Sequence, residues 1–120
     1  PAMSITHEQR NSLADRLPAG LLDRIVAHLN PRRVIVFGSQ ATGNTHRDSD
    51  WDLLVVVDDD IPTERINWRN IHEARKGVHA AIDLIPCRDS TFLDRKDIVG
   101  SLPWIADNEG VVVYERTHAP

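Results

Sequence analysis

Val34-Ile35-Val36-Phe37-Gly38-Ser39 and, after ten intervening residues, Asp50-Trp51-Asp52-Leu53-Leu54-Val55-Val56-Val57 decide how this chain is read. Each is a short, β-branched, apolar run of the kind that forms a strand buried on both faces. The first run closes on Gly38-Ser39, and the second is entered through Asp50 and Asp52. Carboxylates two residues apart project from the same face of a strand. If the two strands are antiparallel neighbours, the Gly-Ser turn and the paired aspartates meet at one end of a sheet. That pairing is the expectation.

The residue types suit one chemistry. Paired Asp oxygens bind Mg²⁺, a hard cation that keeps positions open for water and phosphate oxygens. With a third carboxylate, two such ions ~3.5–4 Å apart stabilise both the attacking and the leaving oxygen of an in-line phosphoryl displacement. Gly38 lets backbone approach a phosphate closely, and the Ser39 hydroxyl or nearby N–H groups can grip it. Asp83 is the candidate third acid, inside Ala81-Ile82-Asp83-Leu84-Ile85. Alone, it reads as a strand-edge residue facing solvent. Beside Asp50 and Asp52, a shared cation gives the better reason for an acid in an apolar strand.

Two rival readings use the same aspartates. Asp48-x-Asp50-x-Asp52 begins like a calcium-binding EF-hand loop, but that loop wants Gly at its sixth position and Glu at its twelfth, where Leu53 and Asp59 stand. A phosphatase with an aspartyl nucleophile places Asp-x-Asp after an apolar strand, whereas here the apolar run follows.

Working outward, Ser4 to Leu17 suits a helix stopped by Pro18. Leu21, Leu22, Ile25, Val26 and Leu29 repeat at helical spacing and end at Asn30-Pro31. Pro62 opens a third helix with a mostly polar face, stopped by Gly77. Ala81 to Ile85 reads as a strand terminated by Pro86. Ser90 or Asp97 caps a further short helix carrying Phe92, Ile98, Leu102 and Ile105, and Val111 to Tyr114 closes the chain as a fourth strand. Helices alternating with short strands predict an α/β or α+β fold around a small sheet.

The chain has 120 residues, 41% hydrophobic and 27% charged, which fits one globular domain and excludes wholesale disorder. Its longest apolar run, Leu53 to Val57, is far short of the ~20 residues of a membrane helix. A single Cys87 fits a reducing compartment, and no leader pattern opens the chain, so the expected location is cytoplasmic, without a membrane partner. The net charge of −4 argues against an extensive non-specific nucleic-acid surface.

Other residues carry plainer expectations. Trp51 should face away from the acids, while Trp68 and Trp104 read as core. Asp58, Asp59 and Asp60 read as a solvated turn, and Arg65, Arg69 and Lys76 as a solvated helix face. His72, His79 and Cys87 are too scattered for zinc, and Cys87 reads as an inert buried thiol.

Gly38-Ser39, Ser49-Asp50-Trp51-Asp52-Leu53 and Asp83 together resemble the nucleotidyltransferase superfamily of DNA polymerase beta, and specifically its minimal nucleotidyltransferase (MNT) branch. The resemblance spans roughly residues 32–116, including the closing Glu109-Gly110-Val111 and Tyr114-Glu115-Arg116. It implies an α+β, two-layer nucleotidyltransferase fold with a small mixed sheet and helices mainly on one face. The implied organisation is an N-terminal helical segment (1–31) packed on a core (32–116), followed by a tail (117–120). The implied activity is transfer of a nucleoside monophosphate, AMP from ATP, to an acceptor hydroxyl with release of pyrophosphate. Asp50, Asp52 and Asp83 would be the catalytic and metal-binding residues for two Mg²⁺ ions, with Asp83 helping to deprotonate the acceptor. Gly38 and Ser39 would hold the β- and γ-phosphates. The family often has Ala-Arg-Gly soon after Gly-Ser, whereas here Ala41-Thr42-Gly43 stands there, so the arginine contact near the phosphates is either missing or supplied by Arg47.

Larger members carry a helical domain that selects the acceptor. Without one, the acceptor platform comes from another chain or a dimer mate, so a homo-oligomer is one expectation. The leading expectation is a HEPN-domain toxin whose tyrosine is adenylylated, which makes this chain an antitoxin. The alternatives are a non-enzymatic toxin-binding antitoxin, and transfer to an RNA end or a small molecule.

Overall fold

The structure, a computed structural model, describes residues 7–43 and 50–116. Two helices, α1 (His7–Arg16) and α2 (Leu21–Leu29), lead into β1 (Arg33–Phe37), the short α3 (Ser39–Thr42) and β2 (Trp51–Val57). A 3₁₀ turn (Thr63–Arg65) and α4 (Trp68–Ala74) cross to β3 (Ile82–Arg88), followed by α5 (Asp89–Arg95), α6 (Leu102–Glu109) and β4 (Val111–Glu115). No helix among the described residues is long and apolar enough to cross a membrane.

The four strands form a mixed sheet in the order β3-β2-β1-β4. β1 and β2 are antiparallel neighbours, with Phe37 opposite Asp52. β3 runs parallel to β2, which requires the helical crossover through α4. β4 pairs antiparallel with the other side of β1, across a register shift between Val34 and Ile35.

Both faces of the sheet are covered, unequally. On the larger face Val34, Val36, Leu53, Val55, Val57 and Leu84 pack with Leu13 and Leu17, with Leu21, Ile25 and Leu29 of α2, and with Ala74 of α4. On the second face Ile35, Phe37, Leu54 and Val56 meet Phe92 of α5 and Ala106 of α6. The helices thus lie mainly on one face, and the uninterrupted Leu53-to-Val57 run reflects a strand buried on both sides. Asn30 ends α2 in the left-handed conformation (φ 44°), donating its N–H to the Val26 carbonyl.

Several local expectations are corrected. Pro86 does not end β3, which runs on to Arg88. β3 is an edge strand, where a missing N–H costs no ladder bond on the open side. The third helix begins at Asn67 and not at Pro62, because the Asn67 side chain accepts the Asn70 N–H at 3.0 Å. Neither Ser90 nor Asp97 is a cap: α5 follows Arg88, and α6 is a separate helix. Gly100 (φ 89°) breaks the chain, and Ser101 caps α6 by accepting the Trp104 N–H. Trp68 is 76% exposed, so it is not core, whereas Trp104 is half-buried. Cys87 is only partly buried, and burial raises its thiol pKa.

The acidic turn after β2 is also engaged. Arg116 Nη2 donates to both Asp58 oxygens at 2.8 and 3.0 Å, Arg32 lies 3.4 Å from Asp58 Oδ1, and Asp59 accepts the Ser90 N–H at 2.8 Å. The Arg116 hydrogen bond leads in holding the Asp58 carboxyl below its ordinary range, against the opposing effect of burial. A lowered folded-state pKa adds stability that is present above the unfolded value and disappears as pH falls through the folded one. Asp58→Asn is therefore expected to lower the melting temperature at neutral pH and to differ less from wild type on acidification. The pair is about a third exposed, so the effect should be about 1 kcal/mol or less. Melting curves across pH check this.

Candidate active site

The register assembles the site. Phe37 stands opposite Asp52, so Gly38 lies at the strand end where β2 begins. Asp52 is beside Asp83 on the adjacent parallel strand. Strand alternation puts both acids on the second face, because their neighbours Trp51, Leu53, Ile82 and Leu84 all pack into the larger one. Trp51, 7% exposed, faces away from the acids as expected. Its N–H donates to the Ala81 carbonyl at 2.9 Å, so the ladder continues to the mouth of the strand pair.

Gly38 has φ 75° and ψ −154°, a region essentially restricted to glycine. A Cβ placed there would come 2.6 Å from Asp52 Oδ2. One residue thus turns the chain into α3 and leaves the space that the carboxylate occupies. Ser39 is the first residue of α3, and Gly43 (φ 83°) closes that single turn by donating its N–H to the Ser39 carbonyl.

The electrostatics are those of crowded acids. Burial, then the charges of Asp83 and Asp50, and finally a hydrogen bond with Asp83, raise the Asp52 pKa above the usual carboxylate range. Like charges held this close call for a proton or a cation between them, and an all-oxygen carboxylate set suits Mg²⁺. Among the described residues, no three His, Cys, Asp or Glu side chains are already drawn together as a metal-binding group. The assembled unit is the Asp52–Asp83 pair. Asp50, exposed and just outside β2, lies near enough to press on Asp52 electrostatically. An all-carboxylate donor set of this kind fits a divalent cation.

Of the residues singled out from the sequence, Gly38, Ser39, Asp50, Asp52 and Asp83 thus fall at one end of the sheet. Arg47 lies outside the described residues. Sequence alone does not show that Trp68, His72 and Arg75, of α4 and its C-terminal turn, line a groove with Leu84 and Pro86 on the larger-face side of β3, a lining in which Asp83 also takes part. The cap residue Asn67 was the available signal, since it places Trp68 in the first turn of α4.

Comparison with known proteins agrees with this architecture. Residues 20–105 match the model of the nucleotidyltransferase domain family, and the chain belongs to that family. No curated protein matches it. Among solved structures, one similar chain comes from a toxin–antitoxin crystallised with AMP-PNP, with TM-score 0.51 and 18% identity over 81% of this chain and 73% of that one. Another comes from a mutant MntA–HpeT toxin–antitoxin, with TM-score 0.52 and 15% identity over 80% of this chain and 71% of that one. At such identities the likeness establishes the shared fold.

Proposed function

We propose that this chain is an Mg²⁺-dependent enzyme of the minimal nucleotidyltransferase branch that transfers AMP from ATP to a hydroxyl of a protein partner. The proposed acceptor is a tyrosine of a HEPN-type toxin, and the transfer makes the chain an antitoxin. The observation that carries the reading is the Asp52–Asp83 pair, in register on adjacent strands, beside a glycine whose missing Cβ leaves room for Asp52. The toxin–antitoxin neighbours, one of them with AMP-PNP, support the choice of partner and nucleotide.

In this reading Asp50, Asp52 and Asp83 hold two Mg²⁺ ions, and Gly38 and Ser39 grip the β- and γ-phosphates, with Arg47 as a further contact. Bound there, Mg²⁺ supplies positive charge against the triphosphate and lowers the cost of ionising the acceptor hydroxyl. Asp83 takes the hydroxyl proton. The acceptor oxygen bonds to the α-phosphorus as the bond from that phosphorus to its bridging oxygen breaks, and pyrophosphate leaves. Gly38 and Ser39 orient the triphosphate so that attacking and leaving oxygens are in line.

The test is incubation with α-labelled ATP, Mg²⁺ and a HEPN-type toxin. Label is expected on the toxin, with loss of its toxicity, and Asp50→Asn and Asp52→Asn should give neither. If both variants protect as well as wild type, neutralisation is by binding alone. Label found only on RNA would reassign the acceptor.

A further inference from the structure

Asp83 stands at a corner of the sheet. It is the second residue of β3, and β3 is an edge strand. A strand end with one free side opens more readily than a strand interior. On the inner side the corner is held, because the Trp51 N–H donates to the Ala81 carbonyl at 2.9 Å and Asp83 is in register with Asp52. Successive peptide groups of a strand point to opposite sides, so the Ile82 carbonyl, one residue on, turns toward the open edge. No strand among the described residues pairs with that edge. An edge of this kind leaves carbonyls without a ladder partner.

A side chain takes the partner's place. Arg75 Nη1 donates to the Ile82 carbonyl at 2.7 Å, and an ionised donor makes this stronger than a neutral ladder bond. The arginine reaches out from a fixed point. Residue 75 is the C-cap of α4, and its N–H donates to the His72 carbonyl at 3.2 Å. Arg24 of α2 holds the two carbonyls just before it, Nη2 on Glu73 at 2.8 Å and Nε on Ala74 at 3.3 Å. Ala74 is fully buried, and Asn70 Nδ2 ties the preceding turn to the His28 carbonyl at 3.0 Å. The end of α4 is thus fastened to α2. The Ile82 carbonyl also shares one rigid peptide plane with the Asp83 N–H. Fixing that carbonyl from outside, while the ladder holds from inside, fixes the backbone from which the Asp83 side chain leaves.

Resting on the transferase reading above, we propose that Arg75 is a positioning residue for nucleotidyl transfer. Acting through the Ile82 carbonyl, it stands in for the missing strand beside β3 and keeps the Asp83 carboxylate in register with Asp52. Arg75 lines a groove with Leu84, on the larger face, whereas the Asp83 carboxylate leaves on the second, so the influence runs through the backbone. The Gly38-Ser39 turn, which grips the triphosphate in that reading, lies beyond β2 at the end of β1. Loss of the arginine should therefore fall on the chemical step and spare the binding of ATP.

The test compares Arg75→Ala, Arg75→Lys and Lys76→Ala with wild type in the full chain, by amide hydrogen exchange and by steady-state transfer from ATP to a HEPN-type toxin. Exchange needs no activity. Arg75→Ala is expected to speed exchange of the Asp83 amide about tenfold, as for one lost hydrogen bond from a charged donor, with the Leu54 and Val55 amides of β2 unchanged. It should lower kcat about tenfold and leave the KM for ATP within about twofold. Arg75→Lys keeps a charged donor and should recover most of both losses. Lys76→Ala removes the neighbouring charge and should match wild type. An Asp83 amide that exchanges at the wild-type rate in Arg75→Ala, faster exchange throughout the sheet, or a raised KM with unchanged kcat would each overturn the assignment. If wild type transfers no nucleotide while Arg75→Ala still frees the Asp83 amide, the transferase reading is what fails, and the positioning role falls with it.

Discussion

Asp52→Asn is expected to lower kcat/KM for nucleotidyl transfer by about three orders of magnitude or more, while making the metal-free protein more stable than wild type. In the proposed reaction the loss follows from removing the carboxylate that lies between Gly38 and Asp83, which would hold the cations that neutralise the triphosphate. The gain follows from the electrostatics. Burial and two like charges raise the Asp52 pKa, so the folded chain binds that proton more tightly than the unfolded one. Stability is therefore forfeited as pH rises from the unfolded value through the folded one, and the deficit persists above it. Asparagine keeps the shape without the charge. The variant's advantage in melting temperature, measured in a chelator, should be absent well below the carboxylate range and complete at neutral pH. Saturating Mg²⁺ should reverse the order, because binding to the folded state adds RT ln(1 + [L]/Kd) to wild type and little to the variant.

Gly38→Ala should be the next most damaging change, and for a different reason. The backbone at residue 38 sits in a region that costs an L-residue about 1–3 kcal/mol. The added methyl would also stand 2.6 Å from Asp52 Oδ2, so either the carboxylate swings away from Asp83 or the turn into α3 shifts. Denaturant titration is expected to show a loss of about 2 kcal/mol or more. Activity should fall by a further ~100-fold when assayed on the fraction still folded, because small displacements of positioning groups are that costly. Wild-type activity in folded Gly38→Ala would mean that neither the turn nor the orientation of Asp52 matters to the chemistry.

Much of this site was legible because its residues are constrained by short-range rules. The β-branched runs, the Gly-Ser stop and the Asp-x-Asp entry each have a local physical meaning, and antiparallel pairing of β1 with β2 follows naturally from them. Asp83 stood out as an acid among aliphatics. What the pattern lacked was the neighbourhood of each element. Pro86 looks like a terminator until β3 is known to be an edge. Trp68 looks like core until Asn67 is seen to start the helix there. The acids of the turn after β2 look solvated until Arg116, 58 residues away, is folded back onto Asp58. These are long-range facts, and periodicity does not carry them.

The most direct measurement is a crystal structure with Mn²⁺ and a non-hydrolysable ATP analogue, read by anomalous scattering. A cation shared by the carboxylates of residues 52 and 83 is expected, with Asp50 drawn in and the triphosphate against the Gly38-Ser39 turn. A cation held by the nucleotide alone, with the β3 acid turned to solvent, would contradict it.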